Sequence, residues 1–371
     1  MTHYTQPLAE LLIDLDAVAQ NWLDLKRRLS AGADCAAVVK ADAYGLGATR
    51  VAGRLYDQGC RHFFVAHAGE AAEITPTLVA RAQMATADRA RIYVLNGPYG
   101  MAAGDMVVAG FVPVLNTLDE VRYWADHGQG AAAVLHIDTG MNRLGLSLDE
   151  LGNPHLGDWL KRFDLRYVMS HLACGDEVPH PLNAAQLARF TQAARSLGRP
   201  LRLSLANSAG IMLGPDYHFD LVRPGCALYG INPQDGVPNP MRAVVRARAR
   251  ITQVRDIAGG ETVGYGATYT VPAGGKYATV AIGYADGYLR SLTGRGAVVI
   301  NGQRCPLAGR VSMDSVVADV SHLKTPPVAG DWAELIGPDL LVDEVAAMAG
   351  TIGYEILTSL GQRYARRYAG E

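Results

Sequence analysis

Short apolar, β-branched runs recur through the first two-thirds of the chain, and this recurrence constrains the fold more than any other feature. The runs are Ala37–Lys40, Phe63–Ala66, Ile92–Leu95, Val112–Leu115, Ala133–Asp138, Arg166–His171, Arg202–Ala206 and Leu221–Gly230, about eight strand candidates. Helix-patterned segments separate most of them. Among these are Thr49–Gln58, Thr117–His127 and Asn183–Leu197, the last opening on a capping asparagine and closing at Gly198. Strands that alternate with helices pair in parallel, because a parallel neighbour is reached only through a crossover. Eight such units in about 230 residues fit a closed (β/α)8 barrel better than an open sheet.

The pattern changes after Ile231–Met241, a stretch with three prolines. From Val244 the chain reads as strands: Val244–Ile257 alternates, Tyr277–Tyr284 is β-rich, and Val298–Pro306 carries an Asn301-Gly302 hairpin turn. Helix-like pieces follow Asp343 and lie between Tyr354 and Tyr368. The expected organisation is a barrel over residues 1–240 and a mainly β domain over 241–371, in keeping with a length beyond the usual single domain. A formal net charge of −2 gives no overall field for nucleic acid or anionic lipid. The five cysteines (Cys35, Cys60, Cys174, Cys226, Cys305) are scattered, with no Cys-x-x-Cys pair, so neither a disulfide framework nor a structural zinc site is expected. The start, "MTHYTQPLAELLIDLDA", lacks a basic region followed by a long apolar core, and no apolar run of membrane-spanning length follows. A cytoplasmic protein with no membrane or nucleic-acid partner is the expectation.

In a barrel of this kind the active site lies at the C-terminal ends of the strands, so the informative residues are those just past each apolar run. They are Lys40 and Tyr44 after the first strand, Asp138, Asn142 and Arg143 after the fifth, and His171 at the end of the sixth. Asn207 and Ser208 follow the seventh, and Arg223, Gly225 and Cys226 belong to the eighth. Taken singly, each has an ordinary reading: a strand-end lysine whose stem snorkels, a hydrogen-bonded histidine near the core, turn glycines, loop serines. Together they bring a lysine, two arginines, a histidine and phosphate-compatible groups to one barrel mouth. A lysine amine whose pKa is lowered forms Schiff bases with aldehydes, and pyridoxal phosphate offers an aldehyde, a phosphate and a ring nitrogen needing a partner. Nucleotide-loop, zinc-protease and serine-hydrolase motifs are not found. The run Asp216, His218, Asp220 places alternate residues on one face, but a single short stretch of this kind reads as a turn rather than a metal site.

At these residues the chain resembles the alanine racemases over almost its whole length. "AVVKADAYGLGA" is similar to that family's cofactor-lysine motif, "DTGMNRLGL" to its arginine motif, and "ANSAG" and "RPGCALYG" to its phosphate and ring-nitrogen segments. "GYGATYT", "IGYADGY", "GRVSMD" and "GTIGYE" resemble blocks of its C-terminal domain. The resemblance implies a pyridoxal-phosphate enzyme that interconverts L- and D-alanine as a homodimer, each C-terminal domain completing the partner's active site. It implies Lys40 as the covalent lysine and Tyr265 as the opposing base. It assigns Tyr44, Ser208, Gly225, Cys226 and Tyr354 to the phosphate, Arg223 to the ring nitrogen, and Arg143 to the cofactor oxygen and substrate carboxylate. Met313 would contact substrate, His171 would bond the partner's Tyr265, and Tyr284, Asp176, Arg290 and Arg310 would form the entryway.

Moving a proton from one face of Cα to the other requires two acid/base groups flanking a planar carbon, and Lys40 and Tyr265 are those groups in this reading. A free tyrosine titrates near pH 10, so Tyr265 needs neighbours that stabilise its phenolate. One departure is visible: His136 stands where many family members carry a lysine whose carbamate orients the arginine that matches Arg143. Three rivals remain: a broad-specificity racemase of the same fold, a decarboxylase on a similar barrel, and a cofactor-binding protein. The decarboxylases present a carboxylate to the ring nitrogen where this chain has Arg223, and the cofactor-binding proteins lack the β domain.

Overall fold

The computed structural model describes residues 6–85 and 88–370. The first five positions of the N-terminal stretch lie outside the described residues. The chain forms two compact units: Val18–Arg242, and the described parts of Met1–Ala17 with Ala243–Glu371.

In the first unit seven strands pair in parallel in chain order: Ala37–Val38, His62–Val65, Arg91–Val94, Phe111–Leu115, Ala132–His136, Asp164–Met169 and Leu203–Ser204. The eighth, Leu221–Val222, closes the ring and pairs in parallel with Asp34–Cys35, which precedes the first of the seven. On its other side Asp220 N–H donates to Leu203 O at 3.0 Å and Arg223 N–H to Ala206 O at 2.9 Å; on its near side Ala36 and Val38 donate to Val222 and Pro224 carbonyls, both at 2.9 Å. Strands such as His62–Val65 and Phe111–Leu115 are buried at every position, because the barrel interior takes one face and the outer helices the other. The expected (β/α)8 barrel is therefore present.

The helices follow their sequence signals with small shifts. Ala48–Asp57 and Leu118–His127 stand where expected, the second capped by Thr117 Oγ1, which accepts from Glu120 N–H at 3.1 Å. The helix read from Asn183 instead begins at Pro181, because proline is preformed for the first helical position and His180 Nδ1 accepts from Leu182 N–H at 3.2 Å. Asn183 is buried inside that helix and donates to Glu177 O. Among the described residues no helix is long and apolar enough to cross a membrane.

The second unit corrects the 1–240 boundary at its start. Ala9–Asp14 is a strand that pairs antiparallel with Val245–Ile257 and parallel with Ala365–Ala369. Buried Glu10 reinforces this sheet by ion-pairing with Arg248 at 2.8 Å and Arg367 at 2.9 Å. Val245–Ile257 alternates as read and also pairs with Gly275–Val280 and Trp332–Ile336. Ala297–Ile300 and Gln303–Pro306 form the hairpin across Asn301-Gly302, both central residues having positive φ. The tail after Tyr354 is a short helix, Gly353–Ser359, and then a strand rather than helix to the end, since Ala365–Ala369 finds the open side of Ala9–Asp14.

Candidate active site

Lys40 follows the last ladder bond of its strand, Val39 N–H to Phe64 O at 2.8 Å. The next four residues, Ala41–Tyr44, all lie in the left-handed region with φ from 52 to 58°. None is glycine, so the turn costs about 1–2 kcal/mol per residue and persists only because its surroundings hold it. Leu46 and Gly47 N–H both donate to Asp42 O, and the Asp42 carboxylate accepts from Ala48 N–H at 2.6 Å, starting the next helix. Lys40 is half-buried. Burial lowers its pKa, the Arg143 charge lowers it further, and Glu70 opposes both.

Arg223 is buried and held at several points. Nη1 donates to Ser204 Oγ at 2.5 Å, and Nη2 donates to Ser170 O at 2.6 Å and lies 3.4 Å from His171 Nδ1. Burial lowers its pKa to about 9, which leaves it cationic at pH 7. A guanidinium has no acceptor, so His171 Nδ1 accepts and the neutral ring carries its proton on Nε2. Burial holds the His171 pKa well below its ordinary value, and the Arg223 and Arg143 charges push it the same way. The result is a neutral imidazole with a donor hydrogen and a cation behind it.

Tyr44, Ser208, Gly225 and Cys226 converge beside this cluster. Ser208 Oγ accepts from Gly225 N–H at 2.9 Å and Ala227 N–H at 3.3 Å, leaving its hydroxyl hydrogen to donate. A Cβ on Gly225 would lie 2.4 Å from Tyr44 Oη, so only glycine admits the tyrosine there. Gly225→Ala is expected to displace Tyr44 and to cost about 1–3 kcal/mol of stability. Urea unfolding of the apoprotein checks this, and an unchanged midpoint would contradict it.

His136 ends the fifth strand, buried. Asn116 Nδ2 donates to Leu95 O at 3.1 Å and Val114 O at 2.9 Å, which fixes the amide so that Oδ1 accepts from His136 Nδ1 at 2.8 Å. The neutral ring thus keeps an acceptor at Nε2 near the Arg143 and Arg223 charges. Burial brings its pKa to about 4, the nearby arginines acting in the same direction and Asp138 against them. His62, at the opposite end of its strand, is also lowered to about 4 by burial. In both, the folded pKa lies below the unfolded one, so the unfolded chain binds protons first as pH falls. Stability from each is full above about pH 6.5 and declines toward pH 4, by about 2–3 kcal/mol per histidine at pH 4.5. Urea titrations at pH 7 and 4.5 test this, and the double variant His62→Asn, His136→Asn is expected to flatten that part of the profile.

The second unit contributes its own group. Tyr265 lies in the bend between Thr262–Val263 and Tyr269–Thr270 and is 75% exposed. The Arg310 guanidinium packs against Gly266, where an added Cβ would meet it at 3.0 Å. Tyr284 N–H donates to Ser312 O and Ala285 N–H to Met313 O, and Val311 N–H donates to Thr293 Oγ1 in the turn that follows Arg290. Tyr265, Tyr284, Arg290, Arg310 and Met313 thus belong to adjoining segments, and Tyr354 is in the helix Gly353–Ser359. Asp176 belongs to the first unit, exposed in the loop after the sixth strand, where its carbonyl accepts from Asp235 N–H at 3.0 Å. His218, in the stretch considered for a metal, is committed within the fold: Ser30 N–H donates to Nδ1, and Nε2 bonds Ile211 O. The sequence reading does not find Asn116, Ser204 or Glu70. Asn116 stands one residue past the fourth apolar run, a position that the strand-end rule covers.

Two family models match: alanine racemase, N-terminal domain, over residues 13–233, and alanine racemase, C-terminal domain, over residues 244–368. An alanine racemase of Rhodospirillum rubrum is 49% identical, covering 100% of this chain and 98% of the relative. The catabolic alanine racemase of Agrobacterium fabrum is 45% identical over 96% of this chain and 91% of its own length. The Bartonella henselae alanine racemase, solved with covalently bound pyridoxal phosphate, superposes with a TM-score of 0.89 at 39% identity, covering 98% of this chain and 100% of that one. With both models matched in order along a barrel followed by a β domain, the chain belongs to the alanine racemase family.

Proposed function

We propose that the protein is a pyridoxal-phosphate-dependent alanine racemase that interconverts L- and D-alanine as a cytoplasmic homodimer and supplies D-alanine to the cell wall. The observation that carries this reading is Lys40, its amine shifted toward the neutral form at the mouth of the barrel that also holds buried Arg223 and the Tyr44–Ser208–Gly225 cradle. The residues fit the cofactor: the cradle offers hydroxyl donors to a phosphate, and Arg223 offers a fixed cation to a ring nitrogen. Bound there, pyridoxal phosphate supplies an aldehyde for Lys40 and a conjugated ring that takes up the electrons left when Cα loses its proton.

The chain's own groups do the rest. Lys40, once its amine is free, takes or returns the Cα proton on one face, helped by the burial and the Arg143 charge that lower its pKa. Tyr265 of a second copy serves the other face. His171 directs its Nε2–H to that tyrosine's oxygen and, with Arg223 behind it, favours the phenolate. Arg223 cannot accept a proton and is itself charged, so it keeps the ring nitrogen unprotonated and restrains electron uptake, which limits side reactions. Arg143 engages the substrate carboxylate, Tyr44, Ser208, Gly225, Cys226 and Tyr354 serve the phosphate, and Met313 limits the side chain. Tyr284, Asp176, Arg290 and Arg310 form the approach.

Racemisation assayed across L-amino acids with purified protein tests the substrate, and turnover of serine, lysine or arginine above alanine would overturn it. Borohydride reduction and peptide mapping test the anchor; a pyridoxyl label anywhere but Lys40 would refute it.

A further inference from the structure

Glu70 is in the first turn of the helix Ala68–Ala85, which follows the second barrel strand. One carboxylate oxygen accepts from Ala66 N–H, just past that strand, at 2.7 Å. The other accepts from Ala41 N–H, the residue immediately after Lys40, at 2.8 Å. The first bond is a local device that recurs two strands on, where Glu120 accepts from Asn116 N–H at 2.7 Å across the same spacing of four residues. The second bond is long-range: it joins residues 29 apart in the chain and reaches the first residue of the left-handed turn. Four non-glycine residues in that conformation need an external hold, and a charge-assisted bond at the turn's first N–H provides one.

We propose that Glu70 is a positioning residue for Lys40: its carboxylate ties the peptide N–H that follows the lysine to the end of the neighbouring barrel strand, and so holds the left-handed turn that sets the lysine's direction. The inference rests on Lys40 being the covalent lysine. The carboxylate does not touch the reacting atoms; it acts through the backbone. A second consequence follows from its charge, which favours the ammonium form of Lys40 against the burial that opposes it.

Hydrogen exchange on the apoprotein tests the clamp. In Glu70→Gln one of the two N–H groups loses its oxygen partner, and amide exchange across residues 39–47 is expected to rise about tenfold. Glu120→Gln, which disturbs the local kind of bond two strands away, is expected to leave that segment unchanged. In the holoenzyme Glu70→Gln is expected to lower kcat about tenfold with KM within about twofold, as misdirection of a reacting group does. Glu70→Asp keeps the charge but is one methylene too short to span both N–H groups, so it is expected not to rescue kcat. Unchanged exchange in 39–47, an increase spread evenly over Val18–Arg242, or full rescue by aspartate would each overturn the proposal. Failure of the Lys40 assignment would show separately, as a borohydride label elsewhere.

Discussion

Lys40→Ala is expected to lower racemisation in both directions by at least about 10⁴-fold. In the proposed mechanism the substitution removes two functions at once: the covalent hold on the cofactor and the proton carrier on one face of Cα. General acid–base catalysis alone is commonly worth about 10²–10⁴ in rate, and loss of the covalent step adds to it. In the proposed reading the phosphate is held by other residues, among them Tyr44 and Ser208, whose Oγ accepts from Gly225 N–H and keeps its own hydrogen to donate, so the variant should still bind pyridoxal phosphate, reversibly. The measurement is therefore paired. Cofactor retained on gel filtration but removed by dialysis, with no pyridoxyl peptide after borohydride, accompanies the loss of turnover. Added methylamine, a small base able to enter the space left by the side chain, should restore part of the rate in proportion to its free-base concentration. Activity within tenfold of the parent would show that another group carries the proton.

Much of this site is legible in the sequence through the strand-end rule. In a parallel barrel every residue just past an apolar run faces the same rim, so spacing alone groups Lys40, Arg143, His171, Ser208 and Arg223. Long-range arrangements leave no such trace. Ala9–Asp14 reads as a lone apolar stretch, and its partners lie more than 230 residues away in Val245–Ile257 and Ala365–Ala369, so sequence reasoning assigns the β unit's first strand to the barrel. The left-handed turn at Ala41–Tyr44 carries no glycine to announce it, and its first N–H bonds a carboxylate from the first turn of the helix Ala68–Ala85, 29 residues on. His136 reads as the loss of a charge partner for Arg143. Its place in the fold is set by Asn116, whose orientation depends on two backbone carbonyls, and by burial that keeps the ring neutral. Tyr265 is reached by resemblance alone: it lies outside the barrel, beyond the reach of any rule about barrel strands.

Tyr265→Phe separates the two proton carriers of the proposed mechanism. The ring is retained and only the hydroxyl is lost, so binding and folding are expected to change little while, on the proposed mechanism, the second face of Cα loses its acid and base. Racemisation is expected to fall about 10²–10⁴-fold. The two enantiomers have equal free energy in water, so kcat/KM must fall by the same factor in both directions. Exchange of the Cα hydrogen with solvent has no such constraint. The enantiomer whose hydrogen points toward Lys40 should still exchange in D₂O, and its mirror image should not, which is read from collapse of the alanine methyl doublet in proton NMR. This asymmetry is the signature of two bases on opposite faces. A single base working on both faces would leave racemisation within tenfold of the parent, and a merely structural role for Tyr265 would slow exchange of the two enantiomers alike.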